Sequence, residues 1–317
     1  MKRDLAASAS PDALRARPAL HALFEGLLDY AGLYAPAALP MERALHEYAE
    51  ARLGVDGWAL NRLVVPSTRL EEFAEELAGL PPALRGEVPW RVAVTAGEDI
   101  MFCAKTTEEF AARQGLERLR IEAVESPAPT PQEVMRARAA VPAAVGLVLE
   151  LPLAGDLPAL ARAVKSAGGV AKMRTGGVRA TDIPPASAVL AFLSACAAER
   201  LPFKATAGLH HAVRGPAPLT DRPDGERAVM FGCLNVLLAA LALGSGAARG
   251  DVLRLLEEED RDAFRLGADS VAWRGTRFGV EEIARARGAF VTAIGSCSFA
   301  EPLQETRQLT ARQADPS

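Results

Sequence analysis

Short runs of β-branched and aliphatic residues alternate with longer amphipathic runs from about residue 59 onward. Runs of the first kind are typical of buried strands, and those of the second are typical of helices that cover a sheet. Eight strands are predicted in this way: ALNRLVVPS, VPWRVAVTAG, LRIEAVES, VGLVLELPL, GVAKMRTGG, LPFKATAGLHH, SVAWRG and AFVTAIGSCS. Eight successive βα units predict an α/β fold, a (β/α)8 barrel of the TIM type.

An open, doubly wound sheet shows the same alternation and stays the alternative fold. Its usual sign, GxGxxG after the first strand, does not occur in the sequence. Residues 18–53 are interpreted as two extra helices joined by the turn AGLYAPAALP. The sequence therefore predicts a helical N-terminal extension over residues 1–58, a barrel over 59–311 and a disordered tail over 312–317.

The composition is typical of a protein with a large core, since half of the 317 residues are hydrophobic. A net charge of −4 gives no basic surface of the kind that nucleic-acid binding needs. Residues 228–248 carry no charge and are long enough to span a bilayer. They contain Asn235 and three glycines and lie among βα units, so a helix buried against the barrel is predicted and a membrane span is the alternative.

Four cysteines lie far apart in the sequence, without the spacing of a zinc site or a disulfide framework. The N-terminus lacks the unbroken apolar stretch of a secretory signal. A cytoplasmic location is therefore expected, with no metal, no cofactor, and neither nucleic acid nor membrane as a partner. A homo-oligomer is left open.

Charged residues recur on one face of three consecutive predicted strands. In GVAKMRTGG, alternation places Lys172 and Arg174 on the face opposite the apolar residues. In PFKATAGLHH, it turns Lys204 and Thr206 inward, and Glu150 lies inward near the end of VGLVLELPL. Active sites of βα barrels lie at the carboxyl ends of the strands, so these five side chains are predicted to meet at one mouth.

A mouth with more positive than negative charge favours a small anionic substrate. A lysine beside other cations loses its proton more readily, and the neutral amine can attack a carbonyl to form a Schiff base. Lys204 is the predicted nucleophile, and Lys172 is expected to lower the pKa of Lys204 and to move protons. Arg174 is expected to hold a carboxylate or phosphate, and Glu150 to act as general acid and base. The sequence thus predicts a carbon–carbon lyase or aldolase.

Two other functions remain open from the same residues. One is an isomerase, dehydratase or decarboxylase that uses Glu150, Lys172 and a histidine as proton carriers without covalent chemistry. The other is a non-catalytic barrel that binds an anionic metabolite or a partner protein. A structural layer of ion pairs, Glu150 with Lys172 and Glu122 with Arg120, is the alternative to any functional role for these charges.

Several loop residues are further candidates. His210 and His211 follow the sixth predicted strand, and one of them is expected to serve as acid/base or anion donor. Gly176 and Gly177, and Ser296 with Ser298, lie in short turns that could cradle a phosphate. Cys297 alternates with apolar positions and is interpreted as a packed thiol. Packing is also the interpretation of three residues before the barrel, with the pocket or a neighbouring subunit as the alternative: Asp29, Tyr30 and Tyr34.

The strings DYAGLYAPAALPM, AKMRTGG, PFKATAGLHH, CLNVLLAA and GSCSFAEP resemble those of a bacterial protein family without an assigned reaction, along nearly the whole chain. That resemblance implies no activity. Lys204 and Thr206 also resemble, more loosely, the Schiff-base lysine string of class I aldolases of the deoxyribose-phosphate type. Lys172 would take the place of the second lysine of that family, but on strand five rather than seven, and Ala205 replaces a threonine.

Overall fold

The computed structural model describes residues 14–114, 119–220 and 225–314. Eight parallel strands close into a barrel, which confirms the predicted (β/α)8 fold. In chain order they are β1 Leu28–Tyr30, β2 Leu60–Pro66, β3 Trp90–Thr95, β4 Leu119–Pro127, β5 Gly146–Glu150, β6 Val170–Arg174, β7 Phe203–Thr206 and β13 Val291–Ser296. Strand β13 closes the ring between β7 and β1. Five further strands lie outside the barrel: β8 Gly215–Pro218, β9 Arg227–Met230, β10 Phe264–Leu266, β11 Ser270–Trp273 and β12 Thr276–Gly279.

Helices surround the barrel and follow most of its strands. Some of their starts have clear local causes: a reciprocal capping box joins Thr130 and Glu133 at one, and the Asp156 side chain accepts from the Ala159 amide at another. The described helices are α1 Pro18–Phe24, α2 Met41–Leu53, α3 Leu70–Gly79, α4 Pro82–Arg85, α5 Ile100–Gln114, α6 Pro131–Ala140, α7 Leu157–Ser166, α8 Ala186–Ala198, α9 Cys233–Gly244, α10 Arg249–Glu257, α11 Val280–Ala289 and α12 Ala300–Ala314.

The first barrel strand lies inside the segment that was expected to be a helical extension. Both expected helices, α1 and α2, are present, but β1 lies between them and pairs with β2 and β13. Residues 1–58 are therefore not purely helical, and the barrel does not begin at residue 59. Three residues are too short a run for alternation to reveal a strand.

The predicted strand SVAWRG does not belong to the barrel. It forms β11 Ser270–Trp273 in an antiparallel sheet with β10 Phe264–Leu266 and β12 Thr276–Gly279. Arg274 and Gly275, between β11 and β12, both have positive φ angles. Positive φ at both central residues is typical of a two-residue hairpin, and this short Arg-Gly connection therefore marks antiparallel pairing.

The apolar segment 228–248 contains α9, in which ten residues from Cys233 to Ala242 are buried, as predicted. Before α9, β8 Gly215–Pro218 and β9 Arg227–Met230 form an antiparallel pair.

A different segment, Ala180–Ala198, is long and apolar enough to cross a membrane, and 39% of its most apolar stretch is buried inside the protein. Core helices pass the same criterion, and the cytoplasmic location stays a prediction.

One predicted ion pair is replaced by another. Glu122 accepts from Arg62 Nε at 2.9 Å and from Arg91 Nε at 2.8 Å, so its partners are not Arg120 but arginines of β2 and β3.

The predicted C-terminal tail begins too early in the sequence, because residues 312–314 belong to α12, while 315–317 lie outside the described residues.

Candidate active site

Five charged side chains form a continuous network inside the barrel. Lys204 Nζ donates to Asp29 Oδ2 at 2.5 Å and to Glu125 Oε1 at 2.6 Å. Lys172 Nζ lies 2.8 Å from Glu125 Oε2 and 3.0 Å from Glu150 Oε2. Glu125 therefore bridges the two ammonium groups, whose residues are paired in register on β6 and β7.

Water is almost excluded from the centre of this network. Asp29 is 0% exposed, Lys204 2% and Glu125 3%. Burial alone would raise the pKa of Glu125, but the Lys172 and Lys204 ammonium groups outweigh burial and hold that pKa at about 2. Burial also opposes the charge on Lys172, yet Glu125 and Glu150 raise the pKa of Lys172 above its ordinary value. Glu125 and Lys172 are thus both ionised at neutral pH.

The charge balance differs from the sequence-based expectation. An excess of positive charge was expected, whereas the network has three carboxylates and two ammonium groups. Asp29 was interpreted as a packing residue, and Glu125 was not a candidate at all. Because Glu125 stands between the ammonium groups of Lys172 and Lys204, their repulsion is compensated.

The network borders a cavity of about 230 Å³. Lys172, Lys204 and Glu125 line this cavity together with Arg174 and Thr206. One cavity therefore contains four of the five side chains that were predicted to meet: Lys172, Lys204, Arg174 and Thr206. The fifth, Glu150, joins them through its contact with Lys172. Further lining comes from other strands and from the loops: Ala31, Tyr34, Ala35, Pro36, Val64, Thr95, Gly177, Ala207, Gly208, His210, Leu219, Met230, Gly295 and Cys297.

Arg174 lies beside the network and is available to bind an anion. Arg174 is the last residue of β6, and its exposed side chain lines the cavity. Within residues 14–114, 119–220 and 225–314, no carboxylate forms an ion pair with Arg174. A guanidinium with open donors is suited to binding a carboxylate or phosphate through two parallel hydrogen bonds.

Tyr34 also faces the cavity rather than the core alone. Its hydroxyl lies 2.7 Å from Thr95 Oγ1 at the end of β3. Burial raises the pKa of Tyr34, so the phenol stays protonated and can donate a hydrogen bond at neutral pH. Packing was the first interpretation of this residue and a position at the pocket was the alternative; the structure shows Tyr34 lining the cavity.

The loop after β7 is held in an unusual conformation. Ala207 and Gly208 have φ angles of +66° and +75°, which turn the chain sharply. The buried Thr175 donates its hydroxyl to the Ala207 carbonyl at 2.6 Å. A Cβ on Gly176 would lie 3.0 Å from the Gly208 Cα, so Gly176 serves the close packing of two loops, whereas Gly177 lines the cavity.

The two adjacent histidines that follow this turn have different surroundings. His210 lines the cavity, and its Nδ1 lies 3.3 Å from Ser296 Oγ. His211 points elsewhere, with Nδ1 2.7 Å from Glu305 Oε1 on α12, and this hydrogen bond raises the pKa of His211. Of the two histidines, His210 is therefore the one in contact with the cavity.

The end of β13 and the loop after it contain three candidate residues, which do not all line the same cavity. Ser296 is buried against His210, and Ser298 accepts from the Glu301 amide at 3.4 Å at the start of α12. Ser298 lines a second cavity, of about 170 Å³, rather than the first. Cys297 is partly exposed and lines both cavities, so its interpretation as a packed thiol is wrong. Strand β13 ends at Ser296, and alternation no longer applies one residue later.

Comparisons with known proteins add little to this picture of a TIM-barrel protein with a buried lysine–carboxylate network. No protein-family model matches the chain, and no curated protein matches it. Among solved structures, a nitroalkane oxidase from Streptomyces ansochromogenes is similar at 15% identity and a TM-score of 0.33. The match covers 61% of this chain and 62% of that one. A likeness this weak supports no conclusion about fold or function.

Proposed function

We propose that this protein is a lyase of the aldolase type that forms a Schiff base between Lys204 and a small anionic carbonyl compound. One observation carries the proposal: Lys204 Nζ borders the cavity and lies within hydrogen-bond distance of Asp29 and Glu125. Glu125 is itself oriented by Lys172. A nucleophile, a base within reach and a third group that orients the base is the arrangement used in nucleophilic catalysis.

The proposed reaction begins with proton transfer from the Lys204 ammonium to Asp29 or Glu125. The amine then attacks the carbonyl carbon, and Lys172 protonates the carbonyl oxygen. Over the whole step the two protons that Lys204 loses leave with that oxygen as water, and a carbon–nitrogen double bond forms. The carboxylates and Lys172 carry these protons between nitrogen and oxygen, so Lys172 acts as an acid.

Carbon–carbon cleavage follows from the positive charge on the iminium. When the bond between the α and β carbons breaks, its electrons move through the iminium to nitrogen and leave an enamine on Lys204, while a base removes the proton from the β-hydroxyl of the fragment that departs as a carbonyl compound. Protonation of the enamine at its α carbon and hydrolysis of the iminium then release the second product and the free lysine. His210 lines the same cavity and is the proposed base. Arg174 is proposed to hold the carboxylate or phosphate of the substrate, and the volume of about 230 Å³ limits that substrate to a small metabolite.

Borohydride trapping tests the proposal directly. The protein is incubated with a panel of 2-oxo acids, aldehydes and phosphorylated ketones, reduced, digested and mapped by mass spectrometry. The chain has five lysines, so each adduct is assigned without ambiguity. We expect an adduct on Lys204 with at least one compound, and none with the Lys204→Arg variant, which keeps the charge but not the nucleophile.

The exposed lysines provide the internal control. Lys105 and Lys165 lie on surface helices and report non-specific reaction with aldehydes. Equal labelling of Lys105 and Lys204 would contradict the proposal. If no compound labels Lys204 but several raise the unfolding temperature, the second candidate is favoured: acid–base chemistry without a covalent intermediate. The observation behind this candidate is the Lys172 ammonium, which its carboxylate partners keep protonated at the cavity.

A further inference from the structure

Cys297 and His210 stand side by side in the wall between two cavities. The Cys297 sulfur lies 3.6 Å from Nε2 and 3.7 Å from Nδ1 of His210. Both residues line the cavity that contains the lysines and also the adjoining one of about 170 Å³. The thiol is therefore open to small molecules from either side.

The sulfur is almost equally far from the two ring nitrogens, so it packs against the imidazole and is not aligned with either nitrogen. Such loose alignment is common in sites without a ligand and tightens when one binds. The contact is thus suited to proton transfer from sulfur to nitrogen.

The surroundings of the pair favour a negative sulfur next to a positive ring. Glu301 Oε2 lies 3.7 Å from His210 Nδ1, and Ser296 Oγ lies 3.3 Å from the same atom. Cys297 also precedes the amino end of α12, which begins at Ala300 and carries partial positive charge. A neighbouring histidine and a helix amino end are two features that make cysteine thiols reactive.

The other three cysteines have the opposite environment. Cys103, Cys196 and Cys233 are buried, whereas Cys297 is partly exposed. Burial raises the pKa of the Cys233 thiol to about 12, and it raises the pKa of Cys196 as well. In the folded protein these thiols are therefore unreactive, and they serve as controls for Cys297.

We propose that Cys297 and His210 form a nucleophilic thiol–imidazole pair that binds small soft electrophiles covalently in the wall of the cavity. The thiol proton passes to His210, the sulfur attacks the electrophilic carbon, and the leaving group departs with the bonding electrons. With an α,β-unsaturated carbonyl compound nothing departs, and the proton returns from His210 to the carbon next to the carbonyl. The pair shares His210 with the lyase proposal but does not involve Lys204, so thiol alkylation tests it separately from Schiff-base formation.

Alkylation by iodoacetamide tests this pair. The sulfur displaces iodide, and mass spectrometry of the intact protein and of its peptides follows the reaction between pH 6 and 10. At pH 7 we expect Cys297 to react about tenfold or more faster than N-acetylcysteine, because the imidazole takes the thiol proton. Cys103, Cys196 and Cys233 should stay unmodified over the same time.

His210→Phe is the decisive variant, because it keeps a ring of similar bulk but has no nitrogen. We expect alkylation of Cys297 to slow by about tenfold at pH 7 and to match the wild type above pH 9, where a thiol ionises unaided. Equal rates in the two proteins at pH 7, or a wild-type rate no higher than that of N-acetylcysteine, would overturn the proposal. Labelling of Cys103 would reveal unfolding of the variant, and His210→Asn then makes the same comparison.

Discussion

The Lys204 ammonium on β7 donates a 2.5 Å hydrogen bond to the Asp29 carboxylate on β1. The two residues are 175 positions apart, and β13 lies between their strands. The ion pair therefore spans the strand that closes the barrel, and both of its members are buried. A buried ion pair at this place contributes to the closure of the fold as well as to the chemistry of the cavity.

Replacing Lys204 by Met is expected to destabilise the protein strongly. The change leaves Asp29 buried without its cation and removes one of the two ammonium groups that hold Glu125. Breaking a buried ion pair by removing one partner lowers the free energy of unfolding by roughly 3–5 kcal/mol. Urea denaturation followed by circular dichroism measures this loss.

Two further variants make the comparison specific. Asp29→Asn combined with Lys204→Met removes the uncompensated charge, and we expect it to recover part of the lost stability. Lys105→Met is the matched surface control: the Lys105 side chain is 76% exposed, so its loss should change stability by less than about 0.5 kcal/mol. A double variant no more stable than Lys204→Met alone would show that charge burial is not the cause.

Stability should fall in acid in a way that depends on Glu125. Its pKa is about 2 in the folded protein against an ordinary value of 4.5, so between these values the unfolded chain binds more protons than the folded one. The stabilisation is fully present above pH 4.5 and is lost as the pH falls toward 2. The difference corresponds to roughly 3 kcal/mol. Unfolding free energies measured from pH 2 to 6 should therefore fall less steeply for Glu125→Gln; identical slopes would contradict this account.

The alternation of inward and outward side chains along a strand predicts part of the candidate site and fails for the rest. On β6 and β7 the strict two-residue period placed Lys172, Arg174, Lys204 and Thr206 in one cavity, because these strands pair without a register shift. On β4 the period fails. Where β4 pairs with β3, Glu122 has no partner residue and forms a bulge. After this extra residue, the side chains of β4 that would have pointed out of the barrel point into it.

Glu125 was missed for this reason: it lies three positions after Glu122, and unbroken alternation would send the two to opposite faces. Asp29 was interpreted as a packing residue, with the pocket only as the alternative, because the three-residue strand β1 lies in a segment that resembles a loop between helices. Contacts that span 175 and 79 positions, as those of Lys204 do, are set by barrel closure and are not encoded in any local pattern.

Asn235 is expected to matter for stability although it lies far from the lysines. Its amide donates to the Leu255 and Glu258 carbonyls at 2.8 and 2.9 Å and accepts from the Arg214 amide at 2.8 Å. Asn235→Leu leaves these backbone groups without partners, which should lower the free energy of unfolding by about 2–4 kcal/mol. Leu238→Met, on the same buried helix, keeps volume and polarity and should change stability by less than about 1.5 kcal/mol. Similar losses for both variants would argue against a role for the hydrogen bonds.

Gly295 on β13 makes room for the Thr206 side chain, and this can be tested without knowledge of the substrate. A Cβ at this position would lie 2.6 Å from Thr206 Oγ1 and 3.4 Å from Lys204 Cε. We expect Gly295→Ala to displace Thr206 or Lys204 and to lower the free energy of unfolding by about 1–3 kcal/mol.

The matched variants identify the cause of that loss. Thr206→Ala removes the clashing hydroxyl and should restore stability when combined with Gly295→Ala, whereas Thr206→Ser keeps the oxygen and should not. Gly244→Ala, where a Cβ meets nothing within 4 Å, should leave stability unchanged or slightly raised. If Thr206→Ser rescues Gly295→Ala as well as Thr206→Ala does, the clash lies with the Thr206 methyl group and not with the hydroxyl. If neither rescues, the close approach of β13 to Thr206 is not what requires glycine at position 295.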